Sequence, residues 1–173
     1  MPDIRPAADE HSPYYGAYVA LVPDGDVVAT LAGQVEATLA AVRPLTEEQA
    51  RFRYAAGKWS VKEVVGHLTD AERVFTYRAL WFGRGAGDPL PSFDEDAWVP
   101  PAEFDAVPLD ELLDGFASVR SATVALLSQF PRDAWRRRGI ASGKPITVRA
   151  LAWITAGHER HHLRVLQERY LTR

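Results

Sequence analysis

The sequence has 173 residues, of which 47% are hydrophobic and 25% charged, and it carries a formal net charge of −3. This length and composition favour a single globular domain with one hydrophobic core over a disordered or fibrous chain. The negative charge excludes the basic field that draws proteins to nucleic acid, and the absence of cysteine excludes disulfides, cysteine nucleophiles and thiolate metal sites.

The first segment, residues 1–24, is predicted to be an irregular lead-in to a helical domain that covers residues 25–173. It contains several prolines and shows no sustained hydrophobic periodicity. It also lacks the apolar core of a signal peptide, and no later stretch approaches the ~20 apolar residues that span a bilayer. We therefore expect a cytoplasmic protein without a membrane partner. His11, in this lead-in, is expected at the surface.

Two amphipathic helices are predicted in the first half of the domain. The first runs from Gly25 to Val42, because its apolar residues recur at three- and four-residue spacing. The second begins at Ser60, which is a typical N-cap, and Glu63 three residues later completes a capping box. This second helix is expected to continue to about Phe82.

A long connection is predicted over residues 83–107, where glycine and proline are too frequent for a long regular element. Its aromatic residues are expected to pack against the helices: Phe93, Trp98 and Phe104. A third helix is predicted from Pro108 to about Phe130, and a fourth from the N-cap Thr147 to about Tyr170. Between them, Ser142 and Gly143 indicate a turn. Four long amphipathic helices without a comparable strand pattern indicate an all-α fold, a four-helix bundle.

Three of the five histidines lie in one short stretch of the fourth helix, residues 158–162. His158 and His162 are four residues apart and point the same way, on a side that carries apolar residues. His67, midway along the second helix, also lies on an apolar side. Two inward faces could thus present three nitrogens to one divalent metal ion, which leaves positions open for water or substrate. Alternatively, all three are ordinary core histidines.

Four further residues near these histidines have open roles. His161 could replace one of the two ligands on its helix or lie beside them. Asp70, one turn after His67, is the candidate catalytic residue: it could orient a ligand or accept a proton, or it could simply pair with Arg73. Glu72 and Glu159 are expected to face solvent or form salt bridges.

Two segments of the sequence resemble the DinB/YfiT-like superfamily of metal-dependent enzymes. They are residues 58–72 (KWSVKEVVGHLTDAE) and 158–162 (HERHH), which bracket a resemblance over about residues 25–170. The resemblance implies a bundle with an up-down-down-up path and a metal, most often nickel or zinc, held by His67, His158 and His162. It also implies a homodimer, and relatives that include transferases and isomerases using low-molecular-weight thiols.

Three functional hypotheses follow. The first is a metal-dependent enzyme, a thiol-dependent S-transferase or a hydrolase, whose ion activates a thiol or water against a small electrophilic substrate. The second is a non-catalytic module that binds a metal or a small ligand in a stress response, since fold does not determine function. The third is a structural bundle whose histidines only fill the core.

Overall fold

The computed structural model describes residues 3–172, which form seven α-helices and two short strands. The four long helices are α2 (Val27–Val42), α4 (Val61–Gly83), α6 (Leu109–Ser128) and α7 (Val148–Arg169), and each begins and ends within two residues of its prediction. The shorter elements are α1 (Gly16–Ala20), α3 (Glu47–Ala50), α5 (Glu95–Ala102), β1 (Arg138–Ala141) and β2 (Lys144–Thr147). Within these residues no helix is long and apolar enough to cross a bilayer.

Side-chain caps determine where three of the long helices begin. The predicted capping box is confirmed: Ser60 Oγ accepts the Glu63 N–H at 3.1 Å, and Glu63 Oε2 accepts the Ser60 N–H at 2.7 Å. The side chains of Asp26 and Thr147 likewise accept backbone N–H groups in the first turns of α2 and α7. These contacts satisfy backbone donors that have no partner within the helix, so each helix starts at a defined residue.

The long helices form a four-helix bundle with an up-down-down-up path. The starts of α4 and α6 are adjacent, since Ser60 donates to Asp105 at 2.6 Å, so these two helices are parallel. The end of α7 meets the start of α4, where the Tyr170 hydroxyl donates to the Trp59 carbonyl at 2.7 Å. Arg43, just after α2, lies 3.3 Å from Asp114 near the start of α6. Both α2 and α7 therefore run opposite to the parallel pair.

A layer of polar side chains divides the hydrophobic core into two parts. On α4, residues 61–68 belong to one apolar cluster and residues 71–82 to the other, and α7 is divided in the same manner. The buried polar residues between them come from all four long helices. They are Thr38, His67, Glu72, Arg120, Thr123, His158 and Glu159. Burying so many polar groups is costly unless each of them has a partner. The candidate site lies in this layer, because the layer includes His67 and His158.

The segment between α6 and α7 contains a hairpin that the sequence analysis did not predict. Its strands are antiparallel and pair Arg138 with Thr147. Ser142 and Gly143, predicted as a turn, occupy the loop with φ of 54° and 70°, as a two-residue hairpin loop requires. The strands were missed because four residues each are too few to display a period of two.

The connection between α4 and α6 packs on the bundle, as its aromatic residues predicted. Phe104 lies so close to Gly66 of α4 that a Cβ there would collide with the ring. Phe93 packs on Phe75 of α4, with ring centroids 6.3 Å apart, and stacks with Trp98, which stays largely exposed. The connection also includes α5, which was not predicted because prolines occupy its last turn.

The N-terminal segment is attached to α7 by α1 and by Arg5. The Arg5 guanidinium donates to the carbonyls of Val19 and Val22, each at 2.7 Å, and lies 4.8 Å from the Trp153 ring centroid. Both valines are buried in the apolar cluster that includes much of α7. His11 is buried in this segment, so its expected surface position is wrong. The predicted division between residues 24 and 25 stays a prediction.

Candidate metal centre

The fold brings together the three histidines predicted to bind a metal. His67 Nε2 lies 3.0 Å from His158 Nε2, which lies 3.1 Å from His162 Nε2. All three potential ligand atoms lie within 4.8 Å of one another. We call these three residues the histidine cluster. It forms because α4 and α7 pack antiparallel, and because i,i+4 spacing stacks His158 and His162 on one face of α7.

A glycine allows the N-terminal segment to approach this face. A Cβ at Gly157 would collide with the backbone carbonyl of Tyr18, so only glycine permits α1 to lie this close to α7. As a result, the Tyr18 ring lies against His158, with centroids 5.5 Å apart. Trp59 covers His67 from the other side, at 4.7 Å. Aromatic rings thus shield the cluster from bulk solvent.

Burial keeps the histidine cluster uncharged at neutral pH. It lowers the pKa of His67 to about 4 and, together with repulsion from neighbouring histidines, that of His162 to about 3. His158 is fully enclosed, which holds its pKa well below the ordinary value, and His162 and His67 lower it further. A neutral imidazole has one nitrogen with a free lone pair, the form that binds metals.

The donor set fits a divalent cation. Three neutral rings whose Nε2 atoms face one another cannot all be satisfied by shared hydrogens, whereas one ion can accept a lone pair from each. Tetrahedral ligation at about 2.0–2.1 Å would separate the ligand nitrogens by roughly 3.3 Å. Two of the three separations, 3.0 and 3.1 Å, are close to that value, and the third pair of ligand atoms lies within 4.8 Å. The arrangement therefore suits a metal with nitrogen ligands and open positions.

Comparison with known proteins identifies the family of the chain. A model of the DinB superfamily matches residues 30–166. The chain belongs to the DinB superfamily. Two relatives, each named "Putative metal-dependent hydrolase", are 30% identical to it over 140 residues in Geobacillus kaustophilus (strain HTA426) and over 142 residues in Geobacillus thermodenitrificans (strain NG80-2). Each alignment covers 78% of this chain and 77% of the relative.

A solved structure has the same fold. YfiT from Bacillus subtilis is described as "a probable metal-dependent hydrolase with an unusual four-helix bundle topology". It superposes with a TM-score of 0.70 at 20% sequence identity, covering 96% of this chain and 91% of YfiT. The predicted DinB/YfiT-like four-helix bundle is therefore confirmed.

Two residues with open roles lie outside the histidine cluster of this DinB-superfamily chain. The His161 ring contacts those of Tyr18 and His162, with centroids 5.3 and 5.1 Å away, but its nitrogens do not join the three that converge. Burial lowers the pKa of His161 as well. Asp70 accepts a hydrogen bond from Arg73 at 2.9 Å, which is the simplest of its three predicted roles. Its role in orienting a ligand or accepting a proton stays a prediction.

A buried ion cluster next to the histidines was missed in the sequence. It consists of Glu72, Arg120 and Glu159, and neither glutamate faces solvent. Arg120 binds Glu72 through two hydrogen bonds of 2.8 and 2.7 Å and Glu159 through one of 2.7 Å. One signal could have revealed it: Arg120 lies four residues after Phe116 and three before Thr123, on the apolar face predicted for the third helix.

A cavity of about 360 Å³ gives access to the histidine cluster, and His67, His158 and His162 form part of its wall. A second cavity of about 290 Å³ lies beyond Trp59 and His162, and His161 lines it. Larger cavities of about 480 and 520 Å³ occur elsewhere, but no histidine lines either of them. A small molecule of the size of the first cavity could therefore reach the open side of the cluster.

Proposed function

We propose that this protein is a metal-dependent hydrolase of a small molecule, with a divalent cation held by the Nε2 atoms of His67, His158 and His162. The observation that carries the proposal is the convergence of three neutral imidazole nitrogens at the wall of a cavity. Three protein ligands with open positions are typical of catalytic metal sites, whereas structural sites close with four. The names of the two Geobacillus relatives support the same chemistry.

The residues of the chain have three tasks in this proposal. The histidines hold and orient the cation, and their lowered pKa values keep the lone pairs free near pH 7. The rings of Tyr18 and Trp59 exclude bulk water, which strengthens electrostatic interactions inside the site. A divalent metal ion held there would supply Lewis acidity, which lowers the pKa of water or a thiol and polarises a carbonyl or similar group.

Transfer to a low-molecular-weight thiol is the second candidate, and it would use the same three nitrogens. The chain contains no cysteine, so a thiol nucleophile would have to be a diffusible molecule that enters the cavity. Zinc and nickel both suit imidazole ligands and are the metals we propose.

The test combines metal content with turnover. The protein, loaded with zinc or nickel and desalted, is expected to retain one metal per chain and to hydrolyse members of a panel of small esters and amides. A parallel panel supplies electrophiles together with a small thiol. The triple variant H67A/H158A/H162A should lose both metal and turnover, whereas H161A, a matched control from the same helix, should keep both.

Two results would overturn the proposal. One is a folded wild-type protein that retains no stoichiometric metal under these conditions. The other is turnover that the triple variant matches, which would place the reaction elsewhere. Circular dichroism of each variant separates a lost site from a lost fold.

A further inference from the structure

Apart from the histidines, the wall of the 360 Å³ cavity is built mostly from aromatic rings. Tyr14, Tyr15 and Tyr18 form a connected group, with ring centroids 5.1 to 6.4 Å apart. Tyr15 continues to Phe75 at 6.4 Å, and Phe75 contacts both Phe93 and the ligand His158. The faces of such rings carry partial negative charge, and a cage of them is a common binding site for organic cations.

One carboxylate, that of Glu95 in the first turn of α5, lines the same cavity. Among residues 3–172 it forms no ion pair, whereas the buried glutamates Glu72 and Glu159 are both paired with Arg120. Glu95 is close enough to the rings to influence them: burial raises the pKa of Tyr18, and the charges of Tyr14 and Glu95 raise it further. The lining of the cavity therefore carries a carboxylate beside its aromatic wall, and none of the residues that line it is an arginine or a lysine.

Arg78 is a cationic side chain that lies behind this wall and interacts with Tyr15: burial raises the pKa of Tyr15, and the charge of Arg78 opposes that rise. Its guanidinium lies over the Phe93 ring at 5.6 Å and donates to the Pro91 carbonyl at 2.7 Å and to Ser142 Oγ at 3.1 Å. Arg78 is almost wholly buried and is not part of the cavity lining. Its charge therefore lies behind the wall, whereas the carboxylate of Glu95 belongs to the lining itself.

We propose that the aromatic wall and Glu95 bind an organic ammonium group, so that the substrate is a small cationic molecule. The ammonium end would lie near Tyr14 and Glu95, and the reacting end near the histidine cluster. Tyr18 lies between these two ends, 6.2 Å from Tyr14 and 5.5 Å from His158. The proposal rests on the proposed function for the reacting end only, because ammonium binding needs no turnover.

The test compares three small probes that differ in charge. Each carries three equivalent methyl groups on one atom, which give a single NMR signal of nine protons. They are choline, its neutral analogue 3,3-dimethylbutan-1-ol, and the anion 3,3-dimethylbutanoate. Binding to the zinc-loaded and the metal-free full chain is followed by ligand-detected NMR. We expect choline to bind at least fivefold more tightly than the neutral alcohol in both forms, since the gain comes from Glu95 and the rings.

Matched variants identify the source of this preference. Glu95→Gln should reduce choline affinity to within twofold of the alcohol, whereas Glu36→Gln, at an exposed glutamate on α2, should leave it unchanged. Tyr14→Leu should weaken choline binding about threefold, while Tyr14→Phe, which keeps the ring, should not. Tyr14 is largely exposed, so neither change should affect folding.

Each alternative result has a defined meaning. Equal affinity for choline and the alcohol, or a preference that survives Glu95→Gln, would overturn the proposal. Tighter binding of the anion to the metal-free protein would also overturn it and would assign recognition to Arg78. If choline is preferred but no ester is hydrolysed, the ammonium site stands and the proposed hydrolase function fails. If esters are hydrolysed but choline is not preferred, the hydrolase function stands and the ammonium site fails.

Discussion

Two groups of buried polar residues lie side by side in the middle of the bundle, and they differ in how their atoms are satisfied. In the ion cluster every charged group has a partner from the chain: Arg120 also donates to the Leu31 carbonyl at 2.9 Å, and Thr38 donates to Glu159 at 2.7 Å. In the histidine cluster the three Nε2 atoms face only one another.

The difference separates a structural role from a ligand-binding one. A complete network of hydrogen bonds and ion pairs connects the helices and leaves no polar atom without a partner that a ligand could supply. Converging lone pairs are satisfied only by something from outside the chain, and a cation is the partner that satisfies all three. The four predictions below test this contrast, from the largest expected effect to the smallest.

Removing the charge at the centre of the ion cluster should have the largest effect. Arg120→Met leaves Glu72 and Glu159 buried without a cation, and breaking a buried pair in this way costs about 3–5 kcal/mol in the free energy of unfolding. Urea denaturation measures the loss. Arg43→Met, the same change at an exposed pair with Asp114, should cost less than about 1 kcal/mol. Similar costs for both variants would contradict the assigned structural role.

Adding metal should stabilise the histidine cluster and leave the ion cluster unaffected. Zinc at about 100 times its dissociation constant is expected to raise the free energy of unfolding by about 2.7 kcal/mol. The urea midpoint, measured with zinc and with chelator, reports the difference. His158→Ala should abolish it, because His158 contacts both other ligands, while His161→Ala should retain it. A shift that persists in His158→Ala would mean that zinc binds elsewhere.

Acid should destabilise the metal-free protein through the histidines. Burial lowers the pKa of His67 to about 4, below the ordinary value of 6.5, so between these values the unfolded chain binds more protons. The stability is therefore complete above about pH 6.5 and is lost as the pH falls. For His67 the loss between pH 7 and pH 5 is about 1–2 kcal/mol.

The measurement compares the pH dependence of unfolding for the metal-free wild type and His67→Gln, which cannot bind a proton at this position. The wild type should lose more stability on acidification than the variant. Parallel curves would show that the pKa of His67 is the same in the folded and unfolded chain. The lowered pKa could then no longer be the reason that His67 is neutral and able to bind a metal.

The smallest effect is expected at Asp70. Its ion pair with Arg73 is partly exposed and joins residues three apart on one helix, so Asp70→Asn should change the free energy of unfolding by less than about 1 kcal/mol. Zinc affinity, measured by competition with a chromophoric chelator, should change less than threefold. A tenfold loss of affinity would instead support the role of Asp70 in orienting a ligand.

Much of the fold was predictable because its signals are local. Apolar residues at three- and four-residue spacing located all four long helices, and Ser60 and Glu63 marked the start of α4 correctly. The hairpin was not predictable, since Ser142 and Gly143 indicated a turn but the flanking strands are too short for a recognisable period. Similarly, α5 was hidden by Pro100 and Pro101 within its last turn.

The candidate site, too, was predictable from the sequence only in part. Sequence spacing by itself determined that His158 and His162 share a helix face, because that depends only on 3.6 residues per turn. The position of His67 on an apolar side of the second helix made it the third candidate ligand, and the resemblance supported that prediction. Only the tertiary structure decided that the three Nε2 atoms meet and that His161 turns to Tyr18, because both depend on how α1 and α4 pack on α7.

The tertiary structure also decided where the charges are. From the sequence, Glu72 and Glu159 were expected to face solvent or to form salt bridges. In the bundle both are buried and form ion pairs with Arg120. Likewise, nothing local links Glu95 with the tyrosines some eighty residues before it; the crossover connection places them around one cavity. Local periodicity determines the elements of this protein, while long-range packing determines which of their polar groups are satisfied and which remain available to a ligand.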